Sequence, residues 1–273
     1  MFTLERLFPW RREQEILRPG FVQDLFWMVF NTQYVSWMLA VLAVHVITWF
    51  DAAVFSLGIP ALESLQVIAH WPAWAQFAVV FVVKDFLEWN IHHLLHRVPL
   101  LWRLHQLHHS TEELDLVAAF RGHWGEIIIY KVVIYLPLVV LGAEASVIFA
   151  IIAVSLVIHE LSHANLRWDL GPLRYIISSP RYHAWHHDVA LHGKAGQNYG
   201  VNLVIWDWIF RTAYWPRDVE GPERCGLPLT DHFPAGIWAR LWWPFRRRRP
   251  AADEAGKHPV QTSKAADRLV TRS

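Results

Sequence analysis

Between Phe26 and Phe50 the chain contains no Asp, Glu, Lys or Arg. A helix needs roughly 20 mostly apolar residues to cross the hydrocarbon core of a bilayer, and few other structures suit so long an uncharged stretch. Three further apolar stretches follow, from Trp74 to His96, Glu126 to Leu141 and Ala145 to His163. The Trp74 stretch carries Lys84, Asp85 and Glu88 in its later part, where an unpaired charge would be costly in lipid. The last two stretches are short and joined only by Gly142-Ala143-Glu144, which predicts a tight helical hairpin. Composition agrees, with 54% hydrophobic and 18% charged residues and 17 tryptophans, side chains that favour membrane–water interfaces. The expectation is an all-α integral membrane protein with about four transmembrane helices in two hairpins. Buried core helices of a soluble protein would not account for the first stretch or the tryptophan load.

The distribution of Lys and Arg sets an orientation. The segment from Asp51 to Pro72 and the Gly142 turn contain neither. The N-terminus (Arg6, Arg11, Arg12, Arg18), the segments Arg97 to Arg121 and Arg167 to Arg181, and the run Arg246 to Arg249 are basic. The positive-inside rule then places both termini and both long polar segments in the cytoplasm, as a helical cap. Residues 1–245 are expected to form one domain, and the polar residues 246–273 a basic, disordered tail. A net charge of +1 makes no case for nucleic acid. The single cysteine, Cys225, leaves no internal disulfide and no cysteine-based zinc or iron–sulfur site. The start of the chain lacks the central apolar run of a cleavable signal peptide.

The 17 histidines are clustered. His92 and His96 lie at the end of the second apolar stretch, and His159 and His163 at the end of the fourth. His105, His108, His109 and His183, His186, His187 repeat an i, i+3, i+4 pattern in the polar segments that follow. Residues at this spacing share one helix face, so each cluster aims its imidazoles together. Ten imidazoles are too many for one ion, and two ions with about five ligands each, one set from each half, would use them. Neutral imidazole suits Zn, Cu, Fe and Ni, but structural zinc sites close with four ligands, usually including cysteine, so two higher-coordinate iron ions are favoured. Unpaired, each buried ring nitrogen would cost ~1–3 kcal/mol, which coordination removes. His93 lies off the His92/His96 face. His45, His70, His232 and His258 are isolated, and His123 and His192 are neighbours of the clusters rather than ligands.

At these residues the chain resembles the fatty acid hydroxylase and sterol desaturase superfamily. The segments DFLEWNIHHLLHRVPLLWRLHQLHHS, HELSHAN, SPRYHAWHHD and NYGVNLVIWDWIF carry the resemblance, in order, from Asp85 to about Thr212. It implies a membrane oxygenase with four transmembrane helices and a cytoplasmic cap, whose histidine boxes hold a di-iron pair. Carried over by position, the ligands are His92, His96, His105, His108, His109, His159, His163, His183, His186 and His187. Implied too are O2 as co-substrate, a lipid (fatty acyl, sterol-like, carotenoid or alkyl ether) as substrate, and a bacterial inner-membrane location. Two positions depart from the family pattern: Ala184 stands where the last box often has Arg, and Arg211 where the segment after Trp-Asp often has Gly.

Metal-bound histidines usually donate their other ring nitrogen to a carboxylate or carbonyl. The carboxylates and amides near the boxes, Asp85, Glu88, Glu160, Asn165, Asn198 and Asp207, are the candidates for this supporting role. Asp207 could equally cap a helix or turn. Glu112, Glu113 and Asp115 read as a solvated surface patch. The chain has no Gly-rich dinucleotide fingerprint and no cysteine cluster, so electrons are expected from a separate reductase or carrier protein. Three other classes compete. A metal transporter needs polar sites near the bilayer midplane, whereas these clusters sit at helix ends. A zinc-dependent membrane hydrolase could use the literal H-E-x-x-H of His159-Glu160-Leu161-Ser162-His163. An inactive, structural metal binder would not need all four boxes. Hydroxylation and desaturation are not separable from the ligands.

Overall fold

The computed structural model describes residues 2–58, 66–228 and 233–246. In chain order the helices are α1 (Phe2–Leu7), α2 (Phe21–Val29), α3 (Ser36–Ser56), α4 (Ala73–Arg97), α5 (Pro99–His109), α6 (Trp124–Leu141), α7 (Ala145–His163), α8 (Pro180–His186), α9 (Ile205–Ile209) and α10 (Ile237–Trp242). A π-helical stretch, Phe30–Val35, joins α2 to α3. Among the described residues there is no strand, and two isolated β-bridges, Ile177 with Leu203 and Asp188 with Cys225, tie loops together.

Two prolines set the helix starts that matter. Pro99 opens α5 one residue after α4 ends, and Val98 between them is extended at φ −92°, ψ 117°. A residue before proline is pushed out of the helical region, while proline itself suits a first helical position. The bend folds the end of α4 and the whole of α5 around one space. Pro180 opens α8 in the same way, and the Ser179 hydroxyl accepts from the Tyr182 N–H at 3.2 Å, a side-chain N-cap.

Helices α4 and α7 pack through Val80, Val147 and Ile151, joined by Ile68 and by Leu138 and Leu141 of α6. The α6–α7 turn closes at Gly142, whose φ is +67°. A Cβ there would lie 2.6 Å from the Gln66 Cα, so only glycine fits. The predicted short hairpin is therefore present. Trp27, Leu107 and Leu241 form a second core, with Phe26, Phe30 and Trp124 packed against it.

Among the described residues, Phe21–His45 and Ala145–His163 are long and apolar enough to cross a membrane, and only 17% of the apolar stretch in each is buried. A core helix of a soluble protein would hide its apolar side chains. Here Trp37, Val44, Trp49, Phe149 and Val157 face outward. Such a surface needs lipid, so the chain is a membrane protein.

The N-terminal segment is part of the fold. Arg18 is buried and bonds both Asp115 carboxylate oxygens and Asp24, each at 2.7 Å. Arg121 holds the same Asp24 at 2.5 and 2.9 Å. Asp115 therefore does not belong to a solvated patch with Glu112 and Glu113. Its charge is neutralised by a buried arginine more than ninety positions earlier, a pairing with no local signature in the sequence. The expected tail from residue 247 onward, His232 and His258 lie outside the described residues.

Candidate metal centre

The bend at Val98, the end of α7 and the short helix α8 bring histidines from four helices to one place. Two groups form. His92, His96, His105, His109 and His186 make one; His108, His163, His183 and His187 make the other; within each group the ligand atoms lie within 4.8 Å of one another. The groups do not follow the halves of the chain. His108 leaves the first half to join the second group, and His186 makes the reverse exchange. Helical geometry explains the crossing. Residues four apart stay on one face, as His92/His96, His105/His109 and His183/His187 do, whereas neighbours such as His108/His109 point about 100° apart.

The hydrogen bonds fix which nitrogen faces inward. A carbonyl or carboxylate only accepts, so Nδ1 must donate in each of the following pairs. Nδ1 of His92 donates to the Tyr199 carbonyl at 2.8 Å and that of His186 to the Gln197 carbonyl at 2.8 Å. His108 Nδ1 donates to the Arg121 carbonyl at 3.0 Å, His163 Nδ1 to the His159 carbonyl at 2.8 Å and His105 Nδ1 to Glu126 Oε1 at 2.9 Å. Their Nε2 atoms are left as bare acceptors, and these converge. His92 and His105 Nε2 are 3.1 Å apart, and His109 and His186 Nε2 3.0 Å. In the second group, His163–His108, His163–His183, His187–His108 and His187–His183 are separated by 3.3, 3.0, 3.1 and 3.1 Å between Nε2 atoms.

Two lone pairs cannot hydrogen-bond to each other, so contacts such as His163–His108 and His92–His105 need a shared cation. Protons are a poor choice. Burial pushes His108 and His186 down to about 3, and His105, His109, His183 and His187 are held well below the usual histidine range for the same reason, reinforced by neighbouring rings. A metal ion fits. Four imidazole nitrogens about 2.0–2.1 Å from a tetrahedral ion are roughly 3.3 Å apart, close to the second group's spacing. Among the described residues the buried His96 Nε2 has no hydrogen-bond partner, as a nitrogen reserved for a metal would not.

His159 stands apart from both groups. Its Nε2 donates to the Ala119 carbonyl at 3.1 Å, which occupies the nitrogen that its i, i+4 partner His163 turns inward. Glu160 is in neither group, so the H-E-x-x-H motif does not assemble as a metal-plus-base pair.

The supporting residues expected from the sequence have other partners. Asp85 accepts from the Asn202 and Leu203 N–H groups at 3.2 and 3.1 Å and from Trp206 Nε1 at 2.8 Å. Glu88 pairs with Lys84 at 2.6 Å and accepts from Asn202 Nδ2. Both fasten the 199–206 loop to α4. Asn165 exchanges hydrogen bonds with the backbone of Arg11, and Asn198 with that of Tyr214. Among the described residues, none of these four hydrogen-bonds a histidine of either group. Asp207 acts one step removed. It accepts from Trp89, Tyr182, Thr212 and the N–H groups of Tyr199 and Gly200, so it positions the Tyr199 carbonyl that holds His92. Burial raises its pKa above the usual carboxylate value, and these donors oppose the shift.

The acidic partner that sequence reading missed is Glu126, near the start of α6. A signal existed: it is the lone carboxylate of that helix, and a buried carboxylate needs a reason. The Tyr199, Gln197 and Arg121 partners act through backbone carbonyls and leave no trace in residue type. His93 stacks on Trp89 and lies tilted against Tyr199, His192 pairs with Asp188 at 2.8 Å, and His123 donates to the Leu241 carbonyl at 2.9 Å; none of them is in either group.

A model of the fatty acid hydroxylase family matches residues 77–212, from early α4 to just past α9. An ornithine lipid hydroxylase of Rhizobium tropici is 34% identical over 231 residues, covering 82% of this chain and 68% of that protein. The alkylglycerol monooxygenase of Homo sapiens is 32% identical over 48% of this chain and 29% of its own length. Methylsterol monooxygenase 1-3 of Arabidopsis thaliana is 23% identical over 57% of the chain and 51% of its own length. The chain thus spans less than a third of the human monooxygenase it matches. No solved structure matches. With the histidine groups inside the matched region and one bacterial relative aligned over most of both chains, the protein belongs to the fatty acid hydroxylase family.

Proposed function

We propose that the protein is an O2-dependent, non-haem di-iron oxygenase that hydroxylates or desaturates a C–H bond of a membrane lipid. The observation that carries this reading is the set of Nε2 atoms facing each other at 3.0–3.3 Å, with the Nδ1 atoms of His92, His105, His108, His163 and His186 committed elsewhere. His92, His96, His105, His109 and His186 would hold one iron, and His108, His163, His183 and His187 the other. Bound iron would supply the O2 chemistry that alkyl C–H bonds require and that side-chain acids and bases cannot provide. The chain's own contribution is position and exclusion of water. Glu126 accepts from His105 and strengthens its donor nitrogen, while the carbonyls of Tyr199, Gln197 and Arg121 lock three more rings.

Hydroxylation is the outcome favoured by relatives named as hydroxylases and monooxygenases. In this reading α3, α4, α6 and α7 cross a bacterial inner membrane in two hairpins, with the histidines on the cytoplasmic side, and a separate reductase or carrier delivers electrons. The test is lipid mass spectrometry of cells grown under 18O2, expressing the chain or its His186→Ala variant. The expected result is a lipid carrying one 18O atom, or lacking two hydrogens, only with the unaltered chain. Identical lipid profiles in both strains would remove the proposal.

A further inference from the structure

A pocket of about 330 Å3 lies beside the five-histidine group. Tyr199 belongs to both: it lines the pocket, and its ring lies 5.2 Å from that of His96 and 5.8 Å from that of His92. The loop over His96 passes so close that a Cβ on Gly196, at φ +117°, would sit 3.4 Å from His96 Nδ1 and 3.2 Å from the Tyr199 hydroxyl. Only a tyrosine and a glycine loop separate the pocket from the histidines.

The lining is unbalanced in charge. Arg97, Lys194 and Arg211 contribute three cations from three separate segments, and no carboxylate is among the lining residues. Two acids lie behind the wall, and both are already engaged: Asp188 pairs with His192, and Asp207 accepts from Thr212, Tyr199 and Trp89. None of the three cations has an ion pair among the described residues. Arg211 also sits at φ +58°, a conformation that glycine adopts at lower cost, so the backbone there does not favour a long side chain. Three convergent like charges call for an anion.

The neighbourhood says where that anion comes from. Trp208, Ile209 and Phe210 run directly into Arg211 and are 40%, 62% and 50% exposed. Exposed aromatic and aliphatic side chains next to Arg and Lys mark the depth at which lipid tails give way to headgroups. We propose that this pocket is the headgroup site for an anionic lipid, with Arg97, Lys194 and Arg211 binding its phosphate or carboxylate and Trp208, Ile209 and Phe210 lying along its first methylenes. The inference rests on the lipid-oxidising reading above, and it names the substrate class as anionic.

Binding can be measured without turnover, so the two readings can fail separately. The full-length protein in neutral detergent is titrated by native mass spectrometry with dioctanoylphosphatidylglycerol and N-dodecanoylglycine as anionic probes. Dioctanoylphosphatidylcholine and inorganic phosphate serve as comparators, and iron is measured on each sample. At least one anionic probe is expected to bind as a 1:1 complex, more tightly than either comparator. Its affinity should weaken about fivefold or more in each of Arg97→Gln, Lys194→Gln and Arg211→Gly, with iron content unchanged, and stay the same in Arg217→Gln. Arg211→Gly relieves a left-handed residue, so a loss of binding there is not a loss of fold. Equal affinity across the variants, or equal affinity for the phosphatidylcholine, would overturn the proposal. Inorganic phosphate competing at the same concentration as the lipids would make it a free-phosphate site. Unchanged lipid binding together with slower reduction by an acidic carrier protein would make it a protein docking surface.

Discussion

The two histidine groups are built from the same residue type and the same i, i+4 spacing, yet they are supported differently. The five-histidine group has one carboxylate in its support, Glu126, and leans on the 197–199 loop for two more rings. That loop also walls the basic pocket, so this group stands next to it. Among the described residues the four-histidine group has no carboxylate partner. His108 is held by the Arg121 carbonyl, and Arg121 is held by Asp24 and, through it, by Arg18. Among the described residues, the buried Nδ1 atoms of His183 and His187 have no hydrogen-bond partner. One group has a carboxylate acceptor and borders the basic pocket, and the other is anchored by a buried ion-pair network from the N-terminus. A structure can thus give two nominally equivalent ions different exchange rates and different sensitivity to distant substitutions.

Removing a histidine should have the largest effect. His109→Ala and His183→Ala each delete an inward nitrogen from one group, and each should lower lipid oxidation more than about 100-fold, beyond the range seen for supporting residues. Lipid mass spectrometry checks this, and full activity in either variant would break the equivalence of the groups. Next comes the anchor. Arg18→Met leaves Asp115 without its buried partner while Arg121 still holds Asp24, a loss of about 3–5 kcal/mol in typical cases. The melting temperature in detergent should fall markedly, and any iron lost first should come from the four-histidine group. An unchanged melting temperature would show that the network is not an anchor.

Glu126→Ala should be milder and act on the other group. It removes the acceptor for His105 and should weaken one iron about 10–100-fold, read by chelator competition, while the second iron is retained. Loss of both irons together would mean that the groups are not separable. The smallest effect is expected from His159→Ala. Its ring donates to the Ala119 carbonyl, so the variant loses one hydrogen bond, about 1 kcal/mol, and should keep both irons. Should His159→Ala behave like His163→Ala in an iron assay, His159 would be the tenth ligand after all.

The apolar stretches and the histidine boxes were legible because each repeats one chemistry at a helical period. Phe26 to Phe50 has no charge to bury, and histidines at i, i+4 share a face whatever the tertiary structure. The division of the boxes between two groups was only half legible. That His108 and His109 must diverge follows from helix geometry, but that His108 meets His163 depends on how α5 lies against α7 and α8. The supporting residues were misread because nearness to a box in sequence is a weak guide. Asp85 and Glu88 lie beside His92 in sequence yet fasten the 199–206 loop. Glu126 lies one helix away yet reaches His105. Asp115 read as a surface charge because nothing local reveals its pairing with Arg18 across 97 positions.

The most direct test of the central claim is elemental analysis of the purified, detergent-solubilised protein beside His109→Ala and His163→Ala. Two irons per chain in the unaltered protein and about one in each variant would be the signature of two separate histidine-bound ions. One zinc per chain with no iron, or a single metal lost in full from both variants, would contradict it.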